Sequence, residues 1–124
     1  MNKLPGKLAL IAEDEALLRE LIVMELEDYE VSCIEAENGI EALKAIEDND
    51  IDFLLSDIRM PGGSGIDLLK AIKEKQLLKG KPIIMLSGFS DFSVKQAQDL
   101  GALTIIPKPF SITEVISLLE SSLV

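Results

Sequence analysis

Histidine and tryptophan do not occur in these 124 residues, and cysteine occurs once. With no histidine and only Cys33, neither a Cys/His zinc site nor a disulfide framework can be assembled. Cys33 lies in an alternating apolar run and reads as a buried, inert thiol. Aromatic side chains are few, four Phe and one Tyr, so the core has to be built from Leu, Ile, Val, Ala and Met. Positive charge is also scarce: twelve Lys and Arg stand against twenty-two Asp and Glu, for a net charge of -10. Such a chain lacks the basic face that displaces counterions from nucleic acid, and an anionic membrane surface repels it. No apolar run approaches the roughly 20 residues of a membrane span, and residues 1–7 carry no secretory pattern. The expectation is a cytoplasmic protein that touches neither nucleic acid nor membrane, its surplus acids serving solubility.

What is present is a regular alternation of two hydrophobic periods. The length suits one domain, and apolar residues make up 48% of it, enough for a self-sufficient core. Short, nearly unbroken apolar runs at 8–12, 31–36, 53–55, 82–86 and 103–106 read as strands buried on both faces. Between them apolar residues recur at helical spacing: Leu17, Leu18, Leu21, Ile22 and Leu26, then Ile40, Leu43 and Ile46, then Ile66, Leu69 and Ile72. A weaker, polar helix is expected over 90–100, stopped by Gly101. The last helix carries Ile112, Val115, Ile116, Leu119 and Leu123. Asn38 with Glu41, and Ser111 with Glu114, have the spacing of capping boxes, and Phe110 with Val115 that of a hydrophobic staple. Five strands alternating with helices predict a parallel sheet covered on both faces, because parallel strands need crossover connections.

In such a sheet ligands collect at the carboxyl ends of the strands. There the sequence sets Glu13-Asp14 after the first strand, Ser56-Asp57 after the third, Ser87-Gly88 after the fourth and Lys108 after the fifth. Three carboxylates brought together repel one another unless a cation neutralises them. Oxygen donors without histidine or thiolate suit Mg²⁺, which keeps several waters and takes few protein ligands. With Lys108 as fixed positive charge and Ser87 as a hydrogen-bond donor, these are the parts of phosphoryl transfer. Each residue also has a plainer role: the acids can cap the following helix, Ser87 can serve a turn, and Lys108 can be a solvated lysine. Gly62, Gly63 and Gly65 lack the Gly-Lys-Ser/Thr ending of a phosphate-binding loop and read as a flexible turn.

At these positions the chain resembles the response-regulator receiver family. The resemblance rests on Glu13-Asp14, Asp57, the run Met60-Pro61-Gly62-Gly63-Ser64-Gly65 followed by Leu68-Leu69, Ser87-Gly88 and Lys108-Pro109-Phe110, and it covers nearly the whole chain. It implies a single doubly wound α/β domain over 1–124, flavodoxin-like, with five helices around a five-stranded parallel sheet of order 2-1-3-4-5. It implies Asp57 as phosphoacceptor, and Mg²⁺ held by Asp14, Asp57 and the backbone carbonyl of Arg59, with Glu13 acting through a metal-bound water. Ser87 and Lys108 would contact the phosphoryl group, and the Lys108–Pro109 peptide is expected to be cis. The implied function is a switch in two-component signalling, not a classical enzyme: it takes a phosphoryl group from a histidine kinase or phosphotransfer protein and alters binding of a downstream protein partner. Such partners usually dock on the face formed by the fourth helix, fifth strand and fifth helix.

Two departures stand out. The family often places Tyr or Phe three residues before the lysine, as a side chain that rotates inward on activation; here Ile105 occupies that position. The resemblance also implies that the residues two after Asp57 and two after Ser87, here Arg59 and Phe89, flank the path of an attacking water; being neither carboxylate nor amide, they would favour slow hydrolysis. Among other readings, an aspartate-nucleophile phosphatase of haloacid-dehalogenase type needs an acid where Arg59 stands. A flavin carrier needs a phosphate loop where Glu13-Asp14-Glu15 would repel phosphate. A module that is never phosphorylated would not need the acidic pair with Asp57 and Lys108.

Overall fold

In the computed structural model, which describes residues 3–88 and 92–123, strands and helices alternate from β1 (Leu8–Ala12) and α1 (Ala16–Glu27) onward. They continue as β2 (Ser32–Ala36), α2 (Gly39–Asp48), β3 (Phe53–Asp57) and α3 (Gly65–Glu74), then β4 (Ile83–Ser87), α4 (Val94–Asp99), β5 (Thr104–Pro107) and α5 (Ile112–Ser122). The sheet is wholly parallel, in the order β2-β1-β3-β4-β5. The expected fold class and strand order are therefore observed, and the Lys108–Pro109 bond is cis.

Alternation along the strands divides the core into two layers, since successive side chains point to opposite faces. Ala9, Ile11, Phe53, Leu55, Ile84 and Leu86 pack with Ile22 and Leu26 of α1 and with Val115, Ile116 and Leu119 of α5. Leu10, Leu54 and Met85 face the other way, against Ala42 and Ile46 of α2, Leu68, Leu69 and Ile72 of α3 and Ala97 of α4. The central strands β3 and β4 are buried along their whole length, which is why they read as continuous apolar runs. Truncating one of these side chains to Ala would cost about 2–5 kcal/mol.

Several expectations are corrected in detail. β3 and β4 reach Asp57 and Ser87, so both polar residues end their strands as ladder members. The fourth helix is shorter than 90–100: it starts at Val94 because Ser93 and Gln96 close a capping box, and Ser90 lies outside the described residues. Asn38 caps α2 by accepting from the Glu41 N–H at 2.9 Å, but the Glu41 carboxylate reaches back one residue further, to the Glu37 N–H at 3.0 Å. Ser111 accepts from the Thr113 N–H at 3.2 Å, so the box expected with Glu114 does not form there. Leu17, Leu21 and Ile40, counted with the apolar stripes, are 78%, 55% and 71% exposed. At about 100° per residue they fall on the flanks of helices that bury Ile22 and Leu26, or Ala42 and Ile46. Cys33 is half-buried; burial, then the charges of Glu27 and Glu35, push its thiol up to about 11, so it stays protonated.

Candidate functional site

The carboxyl ends of β1, β3 and β5 bring the site together. Glu13 follows β1 and is fully buried, Asp57 ends β3 and is 6% exposed, and Asp14 is exposed at the rim. One carboxylate oxygen from each lies within 4.8 Å of the others. From beyond β5, the Lys108 Nζ donates to Glu13 Oε1 at 2.8 Å and to Asp57 Oδ2 at 3.0 Å, with Glu15 Oε1 at 3.9 Å. Glu13 Oε2 also accepts the Glu15 N–H at 3.0 Å, so both oxygens of this buried carboxylate are occupied.

The electrostatics follow from that geometry. Burial pushes the Glu13 carboxyl up, against the opposing pull of the Lys108 hydrogen bond. Burial alone would lower Lys108, but its hydrogen bonds to Glu13 and Asp57 and their charges prevail and raise it. The ammonium is thus held protonated between the two acids. One cation cannot balance three carboxylates, and the donor set is all oxygen, without histidine or thiolate. That chemistry fits a hard divalent cation such as Mg²⁺.

The backbone around Asp57 is tightly fixed. The Ile58 N–H donates to Leu86 O at 3.0 Å, and Ile58 O accepts from the Gly65 N–H at 2.9 Å. A Cβ on Gly65 would fall on the Asp57 carbonyl oxygen and within 2.8 Å of Met85 Cε, so only glycine lets α3 begin this close to the strand end. The Gly39 N–H donates to Gly63 O at 2.7 Å. The glycine segment, expected to be a flexible turn, is a fitted junction with two positive φ values, +79° at Gly62 and +140° at Gly63.

Of the other expected residues, Ser87 is 8% exposed at the end of β4, where its carbonyl accepts from the Lys108 N–H at 2.7 Å. Arg59 occupies an exposed position in the loop that leaves β3. Ile105 is half-buried and packs against the α2–α4 side of the core. Phe89 lies outside the described residues. Sequence reasoning passed over Arg19: a lone arginine on an amphipathic helix reads as solvated, and nothing in the chain marks it as turned inward.

A model of the response regulator receiver domain matches residues 9–120. The chain belongs to this family. As a receiver it is a phosphoacceptor switch. It is 40% identical over 119 residues to the phosphate regulon transcriptional regulatory protein PhoB of Pseudomonas aeruginosa, covering 95% of this chain and 52% of that protein. The receiver thus spans about half the length of that relative. Among solved structures, the response regulator TrrA of Thermotoga maritima in complex with Mg²⁺ and BeF superposes with a TM-score of 0.83 at 32% identity, covering 94% of this chain and 99% of that one. The CheX–CheY complex of Borrelia burgdorferi with BeF3 and Mg²⁺ superposes with a TM-score of 0.85 at 27% identity, covering 94% and 89%. Among the described residues no helix is long and apolar enough to cross a membrane.

Proposed function

We propose that Asp57 is the residue of this receiver that accepts the phosphoryl group, and that Asp14, Asp57 and the backbone carbonyl of Arg59 hold Mg²⁺ while it does so, with Glu13 acting through a metal-bound water. The observation that carries this reading is the shared ammonium: Lys108 ties the buried Glu13 to Asp57 with bonds of 2.8 and 3.0 Å. When bound, the metal supplies positive charge and a coordination position for a phosphoryl oxygen. An Asp57 carboxylate oxygen forms the new bond to phosphorus as the bond to the donor's leaving group breaks, the displaced group keeping that electron pair. Lys108 keeps the carboxylate in place and offers its charge to the incoming oxygens. Ser87, at the end of the neighbouring strand, supplies a hydroxyl donor. In this sense the domain catalyses its own phosphorylation and the later hydrolysis.

The phosphodonor is a histidine kinase or phosphotransfer protein. Beside the acidic pocket runs a groove of about 390 Å³ whose lining includes Leu18, Leu21, Glu25, Lys108, Pro109 and Phe110. Leu17, Leu21 and Met24 extend it as an exposed apolar stripe along α1. Lys108 belongs both to this groove and to the pocket, so a protein seated there would hold its phosphorylated side chain over Asp57. The downstream partner would read the α4–β5–α5 face, past Ser87. The likeness to a transcriptional regulatory protein supports a cytoplasmic receiver. Adding beryllofluoride with Mg²⁺ should move the backbone amide signals of Asp57, Ser87 and Lys108 and spread into α4. A response absent at Asp57, or confined to the acidic pocket, would count against the reading.

A further inference from the structure

Arg19, in the second turn of α1, is turned inward: its side chain is 11% exposed, in a segment whose neighbours Glu15, Ala16 and Glu20 face solvent. Its guanidinium makes three approaches. Nη1 donates to the backbone carbonyl of Glu13 at 2.7 Å, Nε donates to Glu35 Oε1 at 2.9 Å, and Nη2 lies 4.0 Å from Glu37 Oε1. Its own N–H donates to Glu15 O at 3.0 Å. The Glu13 N–H in turn donates to Ala36 O at 3.0 Å. The Glu13 peptide is therefore gripped from both sides, by β2 through its N–H and by Arg19 through its carbonyl. The next residue is Asp14, whose exposed side chain lies within hydrogen-bond reach of the neighbouring Glu13 carboxyl. Its direction is set by the turn from which it projects.

We propose that Arg19 is a positioning residue for the acidic pocket. It locks the 13–15 turn against the end of β2, so that the Asp14 carboxylate already stands beside Glu13 and Asp57 when a divalent cation arrives. The planar fork matters more than the charge, because its separate Nη1 and Nε reach the Glu13 carbonyl and Glu35 in fixed directions, whereas the donors of an ammonium all radiate from one atom. The proposal rests on reading this pocket as the Mg²⁺ site.

Charge and position predict opposite signs. A positive charge near the pocket repels Mg²⁺, so if Arg19 acted only through charge, deleting it would tighten binding. If it positions the turn, deleting it weakens binding. Mg²⁺ alone should be titrated into wild type, Arg19→Met and Arg19→Lys by calorimetry, with Lys44→Ala as a control for loss of one exposed positive charge on α2. The expected result is about tenfold weaker binding for Arg19→Met, binding still several-fold weak for Arg19→Lys, and no change for Lys44→Ala. Phosphorylation of Arg19→Met by acetyl phosphate should be slow at low Mg²⁺ and return to within about twofold of wild type at saturation, since Asp57, Lys108 and Ser87 are untouched. Equal or tighter Mg²⁺ binding in Arg19→Met, full recovery with Arg19→Lys, or a rate still tenfold low at saturating Mg²⁺ would each overturn the proposal. If Arg19→Met does not fold, Glu35→Ala frees the guanidinium without deleting it and should weaken Mg²⁺ binding about threefold more than Glu37→Ala, which removes the same charge from a partner 4.0 Å away; equal effects of the two would overturn the proposal as well. A wild-type protein that bound no Mg²⁺ would instead overturn the reading of the pocket.

Discussion

The Lys108 ammonium lies 2.8 Å from a carboxylate oxygen of Glu13, an acid with no exposed surface. A buried acid hydrogen-bonded to a lysine depends on it, because breaking such a pair leaves an uncompensated charge away from water. Lys108→Ala should therefore destabilise the metal-free protein at neutral pH by about 3 kcal/mol, on the scale of broken buried pairs. Denaturant unfolding measures this. A loss below about 0.5 kcal/mol, the scale of an ordinary surface substitution, would mean that the pair is not held in solution.

The same contact has a pH signature. Burial raises the Glu13 carboxyl above its ordinary value in the folded state. A raised group contributes stability that is fully present below its unfolded value and is lost as pH rises through its folded value. Glu13→Gln cannot titrate, so from about pH 4.5, near the ordinary value for Glu, to neutrality, wild type should lose stability relative to that variant. In Lys108→Ala, where Glu13 has lost its partner, the fall should be steeper, and the deficit should shrink towards pH 4. Parallel pH–stability curves for wild type and Glu13→Gln would contradict the assignment.

Gly65 is tested by adding a single carbon. Gly65→Ala sets a Cβ against the Asp57 carbonyl oxygen, a backbone atom that cannot swing away as the far end of the Met85 side chain can. Overpacking costs about 1–3 kcal/mol, and this variant should fall at the upper end. Because the displaced atom belongs to Asp57, the rate of phosphorylation should fall as well. An alanine variant that melts and labels like wild type would show that α3 can retreat from the strand end.

The positions of the strands were legible from the chain because β1, β3 and β4 are buried on both faces and carry almost nothing but apolar residues, whereas their order came with the family resemblance. The site was legible for a related reason: acids that end or follow such runs, and a lysine that follows the last one, are costly to bury unless paired and fall together at the strand ends. What could not be read depended on side chains meeting across the fold. Nothing local tells Leu21, exposed on α1, from Ile22, buried beside it, or marks Arg19 as reaching the Glu13 carbonyl. The glycines at 62–65 read as loose because their tight partners, Gly39 and Asp57, come from other elements.

Mg²⁺ should stabilise the receiver specifically. At ten times its dissociation constant a ligand adds about 1.4 kcal/mol, a rise of a few degrees in Tm for a domain of this size. Melting curves with Mg²⁺, compared with Na⁺ at matched ionic strength, check this. The increment should disappear in Asp14→Asn. If Asp14→Asn keeps it, the cation binds elsewhere.

The central claim is that Asp57 takes the phosphoryl group, and the most direct test is the intact mass of the protein after incubation with acetyl phosphate and Mg²⁺. Wild type should gain one phosphoryl group, removed by base or hydroxylamine as expected of an acyl phosphate, and Asp57→Asn should gain none. Labelling of Asp57→Asn at the wild-type level would contradict the account.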